Sequence, residues 1–267
     1  MKIVKIALRC ALIAVLAACL YKPALAKADT VEHLMIPSPS MGRDIQVTFQ
    51  PGGPHAVYLL DAFNAAGDVS NWVTAGNAMS TLGGKGISVV APAGGAWSLY
   101  TDWEQDPSKQ WETFLSQELP DWLVAHKGLA PGGHGIVGAS QGGTAAMTLA
   151  EFHPDRFRYA GSMSGFLTPS ATTLNGAITS ALAAYGRVNT QDMWGPAQYG
   201  RWTCTDPAAM IGYCDQAQGT NRLFYTHLLA QGATNTHIDI NATGQHDWPT
   251  WNAQLKTMAA DLAANIK

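Results

Sequence analysis

The most constraining feature of the sequence is the pentapeptide Gly-Ala-Ser-Gln-Gly at residues 138–142. It matches G-x-S-x-G, the pattern of a nucleophile elbow, in which a serine occupies a strained turn between a strand and a helix. The apolar run GHGIVGA leads into the serine, and the small residues GGTAAM follow it. Residues two positions from the serine must lack bulk for this turn to close. The pattern therefore predicts that Ser140 is a nucleophile at the end of a buried strand.

Short apolar runs alternate with helix-like segments along the rest of the chain. Four runs predict strands, and the first two of them are β-branched apolar runs that end in turn residues, which is typical of strands buried on both faces of a parallel sheet. They are HAVYLLDA, ISVVAPAG, GHGIVGA and RYAGSMSGF, while RDIQVTFQ and THIDIN alternate and also predict strands. Helical spacing is found in GGTAAMTLAEFHP, in WPTWNAQLKTMAADLAANI and in SKQWETFLSQELPDWLVAH, where Pro120 can kink the helix. The sequence therefore predicts an α/β fold with a doubly wound, mainly parallel sheet.

The N-terminus has the composition of an export signal. Cations precede an apolar stretch that is too short to span a bilayer, and Ala24–Ala26 offers the small residues that a signal peptidase prefers. We therefore expect residues 1–26 to be a signal peptide, residues 32–267 to be the folded domain, and the protein to be secreted or associated with the cell wall. The segment LAAC also has the form of a lipoprotein processing box, in which Cys19 would carry a lipid and give the only attachment to a membrane.

The charge and the cysteine content of the chain argue against nucleic-acid binding and against a zinc site. The chain has 16 Lys and Arg against 19 Asp and Glu, and removal of the leader makes it more acidic, which disfavours a nucleic-acid partner. There is no H-E-x-x-H motif, and two cysteines without histidine partners do not make a zinc site, so no metal or cofactor is predicted. In an exported protein Cys204 and Cys214 could form one disulfide or remain two thiols, and the sequence leaves both open.

A serine nucleophile needs a histidine that removes its proton, and the order of catalytic residues along the chain indicates which histidine this is. In α/β-hydrolases the histidine lies late in the chain, on a loop after the last strand. His227, His237 and His246 follow Ser140, but only His246 lies in a glycine-containing segment, NATGQHDWP, just before the final helix. His246 is therefore the predicted base, and the N–H of Gln141 at the helix N-terminus is a predicted oxyanion donor.

The chain resembles the mycobacterial antigen-85 mycolyltransferases, which are secreted α/β-hydrolases. The resemblance runs from about Glu32 to the C-terminus and rests on IPSPSMGRDIQVTFQ, AVYLLDA, KQWETFLSQELPDWL, MWGP and HDW. Three further segments are more similar to a secreted paralogous branch of that family: HAVYLLDAFNAAGDVSNWVTAGNAM, GKGISVVAPAGGAWS and AGSMSGFL. That branch lacks the serine nucleophile and binds fibronectin or carbohydrate instead of acylating, whereas this chain retains Ser140.

The resemblance implies roles for further residues. Ser140 matches the family nucleophile and His246 its base, and the backbone N–H of Phe63 would be the second oxyanion donor. Asp61 matches a sugar-binding aspartate, while Asn64 replaces a family arginine, so one sugar contact is altered.

Three other positions bear on ligand binding. Thr168 stands where the family often has an aspartate, and residues 79–89 match a segment assigned to fibronectin binding in the family. Trp248 is one of several tryptophans that could line a sugar cleft or belong to the core.

In a serine hydrolase a third residue, an Asp or Glu, orients the histidine and completes a catalytic triad. In this chain that acid is the least defined member of the triad. The family places a glutamate in a helix ahead of the final strand, and counting back from His246 puts that position on Cys214. Asp215 could supply the carboxylate after a one-residue shift, although neighbouring helix positions point about 100° apart. Asp206 is a second candidate, and either aspartate could instead be a solvated surface residue. The family also has an apolar strand before this helix, whereas RWTCTDP contains no strand-like run, so we expect one strand fewer.

Two functions remain from this reading of the sequence. The first is a serine acyltransferase or esterase that acts without a cofactor on a glycolipid or acyl-sugar and transfers a mycolyl-type acyl group to trehalose or a cell-wall sugar. The second is a catalytically impaired family member that acts as an adhesin and binds fibronectin or carbohydrate. Retention of Ser140 and His246 favours the first, while the displaced acid and Asn64 favour the second.

Overall fold

A computed structural model describes residues 30–167, 213–240 and 244–266, with the side chains of residues 213–220 and of His227 outside that description. Six strands form one sheet in this part of the chain. They are β1 (Glu32–Ser38), β2 (Arg43–Gln50), β3 (Ala56–Leu60), β4 (Ser88–Pro92), β5 (His134–Ala139) and β6 (Phe157–Met163). Their order across the sheet is β1-β2-β4-β3-β5-β6.

The centre of this sheet is parallel and one edge is antiparallel. β3 pairs in parallel with β4 and with β5, and β5 pairs in parallel with β6. β2 pairs antiparallel with both β1 and β4. The predicted mainly parallel sheet is therefore confirmed, because its four strands β4, β3, β5 and β6 form one parallel block.

Seven α-helices and one π-helical turn are present in the described residues. They are α1 (Asn71–Thr74), α2 (Ala78–Leu82), α3 (Trp111–Thr113), the π turn Phe114–Glu118, α4 (Leu119–Lys127), α5 (Gln141–Phe152), α6 (Tyr213–Ala230) and α7 (Trp248–Asn265). No helix in the described ranges combines the length and apolar character needed to cross a membrane.

The two faces of the sheet bury separate apolar clusters, as a doubly wound fold requires. Alternation along β3 divides its side chains between them, with Tyr58 and Leu60 on one face and Val57 and Leu59 on the other. The first cluster packs against α4 and α5, and the second packs against α1, α2 and α7. All five residues of β3 are buried, because helices cover the strand on both sides.

Three elements of the structure differ from what the sequence predicted. THIDIN was expected to be a strand, but residues 236–240 are not, although their exposure still alternates as in a half-buried strand. Alternation favours an extended chain, whereas a strand also needs a paired neighbour. β1, which contains Pro37, was not among the predicted strands; in the described part of the sheet it pairs with β2 and forms an edge, where a proline is tolerated. Pro120 was expected to kink a single helix. The structure instead has a π turn at Phe114–Glu118, and Pro120 lies in the first turn of the α-helix that follows it.

The parallel block brings three segments to one edge of the sheet. The carboxyl ends of parallel strands meet at the same edge, which is where ligands bind in open α/β sheets. Asp61–Phe63 follows β3, Ser140 follows β5 and Ser164 follows β6. These segments build the site described next.

Candidate active site

The turn at Ser140 has the strained geometry that the motif predicts. Ser140 lies between β5 and α5 with φ 56° and ψ −119°, at a positive φ that residues with a side chain rarely adopt. Its N–H donates to the carbonyl of Met163 at 2.9 Å, which ties the turn to the end of β6. Such strain persists only where the surroundings over-determine it, and it concentrates at functional sites.

The two glycines of the motif are needed because backbones approach closely on both sides of the turn. A Cβ on Gly138 would lie 2.2 Å from the carbonyl group of Gly142. A Cβ on Gly142 would lie 2.3 Å from the carbonyl oxygen of Leu60, at the end of β3. The elbow therefore packs directly against the neighbouring strand, and any side chain at these two positions would separate them.

The structure brings the predicted nucleophile and the predicted base together. His246 Nε2 lies 2.9 Å from Ser140 Oγ, although 106 positions separate the two residues in sequence. Ser140 is almost fully buried, and His246 is half-buried. At this distance one hydrogen bond joins the hydroxyl to the ring, which is the geometry a histidine needs to remove the serine proton.

The start of α7 holds the loop that carries His246. Asp247 is the N-cap of α7, and its carboxylate accepts from the N–H of Thr250 at 3.0 Å. In return, Thr250 Oγ1 accepts from the N–H of Gln245 at 2.9 Å. These two bonds enclose His246 between residues that are fixed to the helix, so the ring's position depends on the cap.

Two aromatic rings and one charge define the surroundings of His246. Trp251 meets the imidazole edge-on at 5.1 Å between ring centroids, and Phe166 lies 6.1 Å away. Burial lowers the pKa of His246, and the nearby carboxylate of Asp247 partly offsets this. The imidazole is therefore neutral at neutral pH, which is the form that can accept a proton.

The loop after β3, which carries the predicted oxyanion donor Phe63, is hydrogen-bonded along its length. The N–H of Asp61 donates to the hydroxyl of Tyr100 at 3.0 Å, and the carbonyl of Phe63 accepts from the N–H of Trp97 at 3.0 Å. The Phe63 ring also stacks on Trp97 at 4.8 Å with a 19° interplanar angle. The other predicted donor, Gln141, opens α5, where the first N–H groups of a helix lack intrahelical acceptors.

Asp61 is enclosed by the protein. Its side chain has no exposed surface, and its carboxylate accepts from Ser70 Oγ, Asn71 N and Trp72 N at 2.9, 3.0 and 3.1 Å. Burial raises the pKa of Asp61 to about 7, against the opposing effect of these hydrogen bonds. The carboxylate thus anchors the start of α1 to the end of β3, and the predicted sugar contact would require it to leave these donors.

The other predicted ligand-binding residues lie near this edge in different environments. Asn64 is exposed, directly after Phe63. Trp248 is half-buried and meets Trp72 and Trp251 edge-on at 5.1 and 5.0 Å. Sugar contacts by Asn64 and Trp248 remain predictions.

Several sequence-based expectations concern residues that the structure does not describe. The leader (residues 1–26, with Cys19), Thr168, Cys204 and Asp206 lie outside the described residues. Asp215 and Cys214 lie at the start of α6, but their side chains are outside the description. Asp239 is exposed on the segment before His246.

Sequence reasoning missed the side chain of Gln141. It is completely buried, and its amide bonds to the backbone of two separate loops, at Ala62, Gly95 and Leu99. A buried amide among glycines and alanines must find hydrogen-bond partners, which was the available signal. The partner loop is unusual, since Trp97, Leu99 and Tyr100 all have positive φ.

A metal-dependent reaction has no site in the described ranges. Within residues 30–167, 213–240 and 244–266, no three His, Cys, Asp or Glu side chains cluster as ligands for an ion.

Comparison with known proteins identifies the family. Residues 38–226 match the family model "Esterase", described as "Putative esterase". The MPT51/MPB51 antigen of Mycobacterium tuberculosis is 57% identical over 269 residues, which cover 91% of this chain and 90% of that protein. The diacylglycerol acyltransferase/mycolyltransferase Ag85B of Mycolicibacterium smegmatis is 39% identical over 273 residues, which cover 87% and 84%. The chain belongs to the esterase family of the MPT51 antigens and antigen-85 mycolyltransferases.

The fold agrees with this membership. The crystal structure of Mycobacterium tuberculosis MPT51 superimposes with a TM-score of 0.82 and covers 90% of this chain and 100% of its own. The α/β-hydrolase fold predicted from the sequence is therefore confirmed. Within this esterase family, the present chain combines a serine at the elbow with a histidine in contact with it.

Proposed function

We propose that this protein is a serine esterase or acyltransferase with Ser140 as nucleophile and His246 as general base. The observation that carries the proposal is the 2.9 Å approach of His246 Nε2 to Ser140 Oγ at a strained elbow. A buried serine at a positive φ that touches a neutral imidazole has no evident structural purpose, whereas nucleophilic catalysis requires this arrangement.

The reaction would proceed in two balanced steps. Ser140 Oγ attacks the carbonyl of an acyl ester as its proton passes to His246 Nε2, and the N–H groups of Phe63 and Gln141 receive the negative charge on the carbonyl oxygen. The tetrahedral intermediate collapses, the leaving alcohol takes the proton from His246, and the acyl group stays on Ser140. An acceptor hydroxyl then attacks the acyl-enzyme as its proton passes to His246. When the new ester departs, His246 returns that proton to Ser140 Oγ, which restores the free serine and the neutral imidazole.

The substrate class follows from the relatives. The 39%-identical relative is named a diacylglycerol acyltransferase/mycolyltransferase. We therefore propose a glycolipid or acyl-sugar as donor, a long mycolyl-type chain as the acyl group, and trehalose or a cell-wall sugar as acceptor. Asn64 and Trp248 lie at the same edge of the sheet as Phe63 and His246, where an acceptor sugar would have to approach.

A comparison of the wild type with Ser140→Ala tests the chemistry. A fluorophosphonate should label the wild type at Ser140, and hydrolysis of a short-chain p-nitrophenyl ester should fall about 10⁴-fold or more in the variant. The exposed Ser108→Ala is the matched control and should behave as wild type. Mass spectrometry of trehalose incubated with an acyl donor would then detect transfer. Absence of labelling, together with equal turnover in the wild type and Ser140→Ala, would remove the proposal.

A second candidate function is binding to fibronectin, which the resemblance of residues 79–89 to a fibronectin-binding segment of the family suggests. The segment that resembles the fibronectin-binding region, residues 79–89, offers little surface. Its exposed residues are Ser80 and the turn Gly84–Gly86, while Leu82 and residues 87–89 are buried. If the segment binds fibronectin, Lys85→Glu should weaken capture on immobilised fibronectin, whereas Lys256→Glu, an exposed change on α7, should not. Equal capture by both variants would discard this segment as the binding surface.

A further inference from the structure

We infer that the side chain of Gln141 is a positioning residue for the oxyanion hole, in addition to the backbone N–H that the same residue offers. This inference rests on the proposed function, because it concerns the site where an oxyanion would form. It depends on the contacts of one buried amide with two loops that the chain brings to the elbow from different directions.

The contacts of the amide are complete and have one consistent orientation. Gln141 Nε2 donates to the carbonyl of Ala62 at 3.0 Å and to the carbonyl of Gly95 at 2.9 Å. Gln141 Oε1 accepts from the N–H of Leu99 at 3.2 Å. Two carbonyls face one end of the amide and an N–H faces the other, so the network fixes which end is nitrogen. All three bonds are buried, where an unpaired partner is costly.

The bond to Ala62 controls the orientation of the Phe63 amide. The carbonyl of Ala62 and the N–H of Phe63 belong to one planar peptide group, and in a trans peptide they point in opposite directions. Fixing the carbonyl on one side therefore fixes the direction of the N–H on the other. Gln141 thus orients the second oxyanion donor through the same peptide plane while its own backbone N–H supplies the first.

The bonds to Gly95 and Leu99 secure the loop that supports this peptide. Trp97 lies between them, donates its N–H to the carbonyl of Phe63 and stacks its ring on that of Phe63. Leu99 and Trp97 both have positive φ, so this loop is strained and needs external hydrogen bonds to hold its shape. Gln141 therefore braces the Phe63 peptide from both sides, in addition to the bonds that Asp61 and Tyr100 make in the same two loops.

The test compares Gln141→Met with Gln110→Met. Met is close to Gln in shape but lacks the amide donor, so Gln141→Met removes the side-chain donor from both carbonyls. The N–H of Ala65 still donates to Ala62, and Ser98 still donates to Gly95. Gln110 is a matched control, because its amide also donates to two loop carbonyls, those of Trp103 and Asp106, in a different part of the molecule. Thermal unfolding of both variants identifies any general loss of stability.

Two readouts separate positioning from a merely structural role. For ester hydrolysis, Gln141→Met should lower kcat about 10- to 100-fold with KM within about twofold, below the cost of deleting an oxyanion donor outright. By NMR relaxation, the order parameter of the Phe63 amide should fall from about 0.85 towards 0.6. Gln110→Met should change neither quantity.

The outcomes distinguish this inference from the proposed function. If the wild type shows no Ser140-dependent turnover, the proposed function fails, and the Phe63 order parameter alone decides whether Gln141 holds that peptide. An unchanged order parameter in Gln141→Met would then overturn the inference. If the wild type turns over ester and Gln141→Met keeps its kcat, the inference is also overturned, whereas the proposed function stands.

Discussion

Two loops deliver groups to Ser140, and they are held in place by different means. The loop after β3 is buried and bonded to the protein interior through Asp61 and through the amide of Gln141. The loop before α7 is half-buried and depends on the helix cap formed by Asp247 and Thr250. The side that would stabilise charge is thus held by hydrogen bonds within the core, while the described part of the side that would move a proton is held by a helix cap nearer the surface.

The difference between the two loops suits their proposed roles, which are to stabilise the oxyanion and to transfer the proton. An oxyanion hole works because its donors are oriented before the charge develops, and it therefore benefits from rigidity. A general base must approach the nucleophile, the leaving group and the acceptor in turn, and small adjustments of the ring assist it. We therefore expect substitutions on the β3 side to damage the fold and those on the α7 side to affect the pH dependence more than the fold.

The largest effect is expected from Gly142→Ala, on the buried side. The new Cβ would lie 2.3 Å from the carbonyl oxygen of Leu60 and 2.7 Å from that of Asp61, and neither backbone group can move cheaply. We expect the free energy of unfolding to fall by about 3 kcal/mol or more. Gly67→Ala is the control, since a Cβ there meets no atom within 4 Å. Denaturant unfolding measures both, and similar stabilities would mean that the elbow does not press against β3.

The next largest effect is on the pH dependence of stability and concerns Asp61. Burial raises the pKa of this residue from the ordinary 3.8 to about 7. Between these values the folded protein holds a proton that the unfolded chain releases, so the free energy of unfolding should decrease as the pH rises from about 4 to about 7. Asp61→Asn should remove this slope, which we expect to amount to about 3–4 kcal/mol across that range. Urea unfolding at a series of pH values measures it, and identical slopes in the two proteins would contradict it.

A smaller effect is expected on the α7 side from Asp247. Asp247→Ala removes the cap and should cost about 1 kcal/mol, whereas Asp247→Asn keeps a capping side chain and should cost only a few tenths. Both variants lack the carboxylate that raises the pKa of His246. The acid limb of the kcat/KM profile should therefore move to lower pH in both, by similar amounts. A shift in Asp247→Ala alone would trace the effect to the cap and not to the charge.

The sequence predicted the parts of the site that depend on local pattern and chain order. Ser140 could be located because its glycine neighbours and the flanking strand and helix form a contiguous signature. His246 could be located because the order of residues in this fold places the base late, on a loop before the last helix. The two-sided burial of β3 could be anticipated from its uninterrupted apolar run.

What escaped prediction depends on partners that are distant in sequence. Asp61 follows a strand as a binding residue would, and only the folding of Ser70–Trp72 around it reveals a buried anchor. The role of Gln141 requires the positions of the Ala62 and Gly95 carbonyls, which no local pattern reports. The alternation at 236–240 predicted a strand that the structure does not show, because pairing is a property of two segments.

The smallest effect on kcat should come from the hydrogen bond between Trp251 and Ser164, which joins the His246 side of the site to the end of β6. Trp251 Nε1 donates to Ser164 Oγ at 3.2 Å after β6, while the Trp251 ring meets His246 edge-on. Trp251→Phe keeps an aromatic ring but removes the hydrogen bond, and Ser164→Ala removes the same bond from the other side. Each should cost about 1 kcal/mol of stability and change kcat less than about threefold.

The double variant Trp251→Phe/Ser164→Ala makes this comparison quantitative. If the hydrogen bond couples the two loops, the double variant should cost less than the sum of the single ones, with a coupling energy of about 0.5–1 kcal/mol. Strict additivity would mean that the β6 end and the His246 loop are stabilised independently. In that case the bond between Trp251 and Ser164 would not help to hold His246 2.9 Å from Ser140, and Asp247→Ala, which removes the cap beside His246, should lower kcat more than Trp251→Phe does.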